Sequence, residues 1–444
     1  MGSGSTETIT PFRESVRMSV LFLLSRLSVP QGASVRQYSL IFVTCVLGAA
    51  CAPTPAQPPR TSSDGSEVEV PRTVVTPEAA HDIPELLRNA AALAAKGQFR
   101  EAAEAYDRVY RLEPEGAEGD EAVWGAAVAY DQNNDHELAL ARFQLFADRQ
   151  RDTSQGAAAL VRATRLLVFL ARFEPAGANA DRLLKKLELL NDLAKVAVFS
   201  AKALSLLARE QDEPATYFIE KGRDIVEQKR LDEASPMPRD LAPLYYALGE
   251  QRRLRAERIK FDPLPPNFGA VLEARCQLLL DAQSAYADSM RANDSHWSAS
   301  AGFRIVELYQ KLHHELLAIR TPPSVVSERD RALYEGAVRT RYAILLTKAK
   351  TMAEHTLSMA TRTGEKSEWV TRTQDSLASI TRAIAAEDAA LAKLPYTRAD
   401  FEAYFAQMEA AATKPPGAPP RSPGGPTKPK PAAPPTKPQP APSR

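Results

Sequence analysis

From Ile83 to about residue 413, apolar residues return every three or four positions, with few glycines or prolines to interrupt them. That spacing lays one apolar stripe along a helix, and it leaves little room for strands. The 34 prolines of the 444-residue chain are concentrated in the two flanks, and only 20 residues are glycine. Neither flank has the apolar content to make a core. The middle lacks strand-like alternation of β-branched residues, so the reading is all-α.

Individual helices can be marked off by their breakers. Leu86, Leu87, Ala90, Leu93 and Ala94 share one face, and Gly97 to Phe99 follow as a turn. A second helix covers Glu101 to Leu112 and stops before Pro114. Two short antiparallel helices cannot bury their apolar faces alone and need a stacked neighbour.

Gly97, Phe99, Ala102, Tyr106 and Pro114 together resemble the tetratricopeptide repeat. The resemblance makes Ala102 the small residue at the helix crossing, Tyr106 the filler between repeats and Pro114 the terminator. Leu86, Asn89 and Ala90 stand where the family has Trp and Leu-Gly. A second unit follows in Val123, Ala127 and Tyr130, then Ala139 and Phe143. A third runs through Phe199, Ala203, Leu206, Ala215, Ile219 and Gly222, with Glu213 and Pro214 taken as the inter-helix turn. Tyr245 to Gly249 is similar to a first helix without its second, and Trp297, Ala301, Ile305 and Tyr309 form a further fragment. The resemblance implies an α–α superhelix, a TPR-like solenoid, with repeats over 83–230 and a divergent helical region over 231–413. Longer helical runs are expected at 268–292, 296–317, 327–361 and 366–393.

The N-terminal flank has its own signal. Arg36, an apolar run from Tyr38 to Leu47 and the small residues Gly48 to Ala50 precede Cys51. The run has the length of a signal-peptide core and is too short for a membrane span of ~20 residues. This resembles a bacterial lipoprotein signal, with Leu47 four residues before the cysteine where the family has Leu at three. The resemblance implies cleavage before Cys51, lipid on its thiol and delivery to the periplasmic face of the outer membrane. Residues 1–50 are then the signal region, with a true start near Val35, and 51–82 an anchor and linker. Cys45 would leave with the signal, and Cys276 would remain as a free, packed thiol unable to form an internal disulfide.

The tail over 414–444 is rich in proline, with Lys414, Arg421, Lys428, Lys430, Lys437 and Arg444 and no acidic residue. As polyproline II, at ~3.1 Å per residue, it would reach roughly 90 Å. It is either an inert solubilising segment or a basic strap for an anionic polymer such as peptidoglycan.

The 56 basic and 55 acidic residues leave a net charge of +1, which offers no global field for nucleic acid. His81, His136, His296, His313, His314 and His355 form no HExxH, and His313-His314-Glu315 reads as a solvated or half-packed helix face. Acidic residues are expected in exposed ion pairs. No catalytic residue, metal site or cofactor is assigned. The expected function is a non-catalytic protein–protein interaction scaffold of the cell envelope, of the assembly or gliding-motility type. A peptidoglycan tether and a cell-wall enzyme with accessory repeats stay open beside it.

Overall fold

The computed structural model describes residues 82–412 apart from Ser324. Cys51, the linker before Asp82 and the basic tail lie outside the described residues. Fourteen α-helices, and no strand, occur among the described residues. They are α1 (Ile83–Ala95), α2 (Phe99–Leu112), α3 (Gly116–Gln132), α4 (His136–Arg149), α5 (Ser154–Phe169), α6 (Phe173–Leu183) and α7 (Asp192–Leu207). After these come α8 (Asp212–Lys229), α9 (Leu241–Arg258), α10 (Phe268–Arg291), α11 (Ser295–Leu317), α12 (Glu328–Thr363), α13 (Glu368–Leu391) and α14 (Arg398–Ala412). No described helix is long and apolar enough to cross a membrane.

The described residues divide into two compact units. The larger runs to Arg320 and takes up again over Tyr342–Asp388. In it each helix from α1 to α11 packs on the next, and the first helices of successive pairs also touch, α1 on α3, α5 on α7, α7 on α9 and α9 on α11. This is an α–α solenoid. The smaller unit joins Thr321–Arg341 to the residues from Ala389 onward. Its core is Leu333, Ala337 and Phe401, flanked by Leu391, Tyr396, Tyr404, Phe405 and Met408.

Local chemistry sets the helix starts. Asp82, Thr153, Asn191 and Asp294 each accept a hydrogen bond from the backbone N–H three residues on, at 3.2, 3.0, 2.9 and 3.1 Å. Such caps satisfy N–H groups that the first helical turn leaves unpaired.

The turns inside the first four pairs are copies of one another. Gly97, Asn134, Ala171 and Glu210 all have left-handed backbone, with φ of +77°, +62°, +55° and +58°, at steps of 37, 37 and 39 residues. The residue after each donates its N–H five residues back, Gln98 to Leu93, Asp135 to Tyr130, Arg172 to Leu167 and Gln211 to Leu206. This closure satisfies carbonyls at the end of the first helix. Side chains follow the same rhythm. Arg100 to Asp135, Arg172 to Glu137 and Arg209 to Glu174 are bonded across 35 residues. These pairs are exposed and add little stability. They report register.

Left-handed backbone costs an L-residue with a Cβ about 1–2 kcal/mol, and glycine escapes that cost. Ala171→Gly is therefore expected to stabilise the protein by about 1 kcal/mol, after allowance for the looser unfolded chain. The urea midpoint of unfolding checks it, and a lower midpoint would refute it.

Three expectations need correction. Glu213 and Pro214 lie in the first turn of α8 rather than between helices, the turn being Ala208 to Gln211. A proline there removes an N–H that has no helical partner in any case. The helix containing Tyr245 to Gly249 does have a second helix, because α10 packs along α9. The connection from Ile259 to Asn267, with Pro263, Pro265 and Pro266, hides the pairing. The pair α5 and α6 also fills a stretch in which the sequence reading placed no repeat.

Candidate functional site

The repeat-signature residues are distributed along the first two pairs. Ala102, Ala127, Ala139 and Phe143 are fully buried, and Tyr106 and Tyr130 nearly so. Gly97 is the left-handed turn residue, Phe99 opens α2 half-buried, and Pro114 is exposed between α2 and α3. The Tyr106 ring covers Gly125 of α3 so closely that a Cβ there would lie 2.6 Å from ring carbons. Helix approach at this crossing requires the missing side chain.

A polar network that the periodicity did not reveal links the same pairs. The Tyr130 hydroxyl donates to Asp107 Oδ2 at 2.8 Å, and Arg142 donates to both Asp107 oxygens at 2.7 and 2.9 Å. Burial, and then the bond to Asp107, pushes the Tyr130 phenol up to about 12. Asp107 is itself buried, against the expectation of exposed acidic pairs. Two donors on its carboxylate make that burial tolerable.

Beside this network the first helices of the second and third pairs present an amphipathic surface. The Arg162 guanidinium of α5 lies 5.5 Å from the ring centres of both Trp124 and Phe143. Arg165 makes a two-point contact with Asp240 at 2.7 and 2.8 Å. Ala158, Arg162, Arg165, Leu189 and Asn191 line a shallow depression of about 230 Å³. An aromatic ring with stacked arginine is the composition that anchors protein partners.

Further along the solenoid, α5 meets α11. The His296 ring stacks on Phe169 with centres 3.8 Å apart, and His136 lies 4.7 Å from that same ring. Burial holds His296 below the usual histidine range, with His136 adding to it and Glu365 and Asp294 opposing. A folded state that disfavours the proton is stable above the unfolded value of about 6.5 and loses stability as pH falls through it. Stability is expected to decline from pH 7 to 5, and His296→Phe to flatten that decline, as urea titrations at both pH values would show. An unchanged slope would refute this.

The most elaborate charge arrangement lies between α9, α10 and α11. Glu250 accepts from Tyr286 at 2.5 Å and Arg253 at 2.8 Å, with Arg304 Nε at 3.0 Å. Arg253 also reaches Glu257 at 2.9 Å, Glu257 receives Lys311 at 2.6 Å, and Arg304 reaches Glu307 at 2.6 Å. Burial works against the Glu250 charge, yet Arg304 and Arg253 outweigh it and hold the carboxyl below its usual range. Arg253, Glu257, Arg304, Glu307 and Lys311 of the cluster line a cleft of about 500 Å³ together with Leu346 of α12 and Ser379 and Ala383 of α13.

His313 and His314 also border the cleft. His313 is buried and His314 exposed, while Glu315 receives Arg275 at 2.9 Å, so this stretch is a half-packed helix face, one of the two forms expected of it. Among the described residues no group of three His, Cys, Asp or Glu is arranged to hold a metal ion. Cys276 is buried, and burial pushes its thiol up to about 12, far from a nucleophile at neutral pH.

No family model matches the chain, and no curated protein matches it. Among solved structures it is similar to a tetratricopeptide repeat protein from Parabacteroides merdae ATCC 43184, at 13% identity and a TM-score of 0.34, covering 66% of this chain and 98% of that one.

Proposed function

We propose that this protein is a non-catalytic scaffold that binds protein partners of a bacterial cell envelope. On this reading lipid on Cys51 holds it at the periplasmic face of the outer membrane, within an assembly of the motility type. The observation that carries the reading is the repeated plan itself. Four helix pairs with one turn geometry place Trp124 and Arg162 side by side on successive first helices. Stacked pairs of this kind create extended surfaces for binding.

The test is photo-crosslinking in the native envelope from a reactive residue replacing Ala158 in the depression. Defined protein adducts are expected there, and none from the same residue at Glu227, which is exposed on α8. Equal adducts from both positions, or none from either, would refute the scaffold. Cys51→Ser is expected to shift the protein from membrane to soluble fractions, and a protein still in the membrane would refute the anchor.

A further inference from the structure

The two arginines that line the depression between α5 and α7 differ in what they hold. Arg165 is committed, with two hydrogen bonds to Asp240 at 2.7 and 2.8 Å. Arg162, one turn earlier, makes no hydrogen bond among the described residues. Its nearest carboxylate oxygen belongs to Asp131 of α3, at 3.8 Å, beyond hydrogen-bond distance. The other oxygen of Asp131 faces His136. The Arg162 side chain is 40% exposed, yet its position is set, because the Trp124 and Phe143 ring centres each lie 5.5 Å from the guanidinium.

The start of α7 leaves a second donor. Asn191 Oδ1 accepts the Ala194 N–H at 2.9 Å, so only its amide NH2 is left for another molecule. Asn191 is exposed, and that NH2 has no acceptor among the described residues. No residue lining the depression carries a carboxylate. The unused polar groups are therefore donors, and one of them is a cation. Beside them the surface is apolar, with Val161, Leu190 and Leu189, and Leu189 leaves 42% of its surface in solvent. A volume of about 230 Å³ has room for one side chain.

We infer that this depression receives an internal segment of a protein partner in which an Asp or Glu stands beside a large apolar residue. The carboxylate meets Arg162, and the apolar side chain lies against Leu189 and Val161. A carboxylate suits Arg162 better than a neutral acceptor. Charge-assisted hydrogen bonds are about twice as strong, and a planar guanidinium can meet both oxygens at once. The two rings hold the guanidinium before binding, so little side-chain freedom remains to be lost. Asp131 supplies charge without a hydrogen bond, and its repulsion of a second carboxylate limits the affinity. The inference rests on the scaffold reading and names the partner chemistry at that same surface.

The experiment maps, by mass spectrometry, the partner segment in the adducts formed at position 158. That segment, as a labelled synthetic peptide, is then titrated with the full chain by fluorescence anisotropy. It is expected to hold an Asp or Glu next to a large apolar residue. Replacing that acid by its amide, or Arg162→Gln in the protein, is expected to weaken binding roughly tenfold. Asp131→Asn is expected to strengthen it, because the competing charge is gone. Lys221→Gln, exposed on α8, is expected to leave it unchanged. Circular dichroism checks that each variant is folded. A mapped segment without an acid would overturn the inference and leave the scaffold standing. So would affinity within twofold of wild type for the amide peptide or for Arg162→Gln, or no gain from Asp131→Asn. Absence of any adduct would instead remove the scaffold itself, so the two failures are told apart.

Discussion

Glu250→Ala is expected to lower the unfolding free energy by about 3 kcal/mol. Removing one partner from a buried ion pair typically costs 3–5 kcal/mol, because the remaining charge stays desolvated and uncompensated. Glu250 is 7% exposed and touches two guanidinium groups and one phenol. Its loss leaves the fully buried Tyr286 hydroxyl without its acceptor and takes one of two carboxylates from Arg304, whose guanidinium lies 5.7 Å from the Trp369 ring. The lower end of the range applies because Arg253 keeps Glu257 and Arg304 keeps Glu307. Glu307→Ala is the control. Its side chain is 40% exposed, so the expected loss is under about 1 kcal/mol.

Tryptophan fluorescence in urea reads both variants, since Trp297 and Trp369 border the cluster. Equal losses for the two would show that the buried position confers nothing special. The same residue gives a pH signature. Its carboxyl is held low in the fold, so its stabilisation is present above the unfolded value of about 4.3 and disappears as pH falls through the folded one. Glu250→Ala should therefore flatten the acid limb of the stability curve.

How much of this was legible in the sequence depends on which residues carry the geometry. The first turn is legible because Gly97 is the residue type that favours left-handed backbone, whereas the second unit is marked by Ala139 and Phe143 rather than by its turn residue Asn134. The next two use Ala171 and Glu210 at the same φ, and nothing in their chemistry announces it. For that reason the sequence marks no helix break between α5 and α6, and Pro214 stands out beside the break that Glu210 makes. Long-range charge was less legible still. Glu250, Arg253, Arg304 and Lys311 look like ordinary surface residues of helices, and bonds such as Lys311 to Glu257 span 54 positions. Only the stacking of α9 against α11 converts them into one buried network. The spacing of Ala139 and Phe143, by contrast, lies on a single helix and needs no tertiary knowledge to be seen.

That spacing supports the second large prediction, a loss of about 4 kcal/mol in Phe143→Ala. Phe143 is fully buried on α4, with Trp124 edge-on at 5.8 Å and 75°. Truncating a buried phenylalanine costs ~3–5 kcal/mol through lost transfer energy and the cavity left behind. The aromatic pair adds ~0.5–1.5 kcal/mol. Collapse cannot close this cavity easily, because the Trp124 ring also leans on Phe146 at 5.2 Å and carries Arg162 above it. Phe143→Leu keeps most of the volume and is expected to lose under about 2 kcal/mol. Urea unfolding of the two variants checks the ratio, and near-equal losses would mean that ring volume does not determine stability here. The binding surface gives a second readout. Arg162 stacks on Phe143 as well as Trp124, so Phe143→Ala should free its guanidinium and reduce adduct formation from position 158 under conditions where the protein is still folded. Undiminished adducts in a destabilised but folded variant would separate the core of the second pair from the surface it is proposed to support.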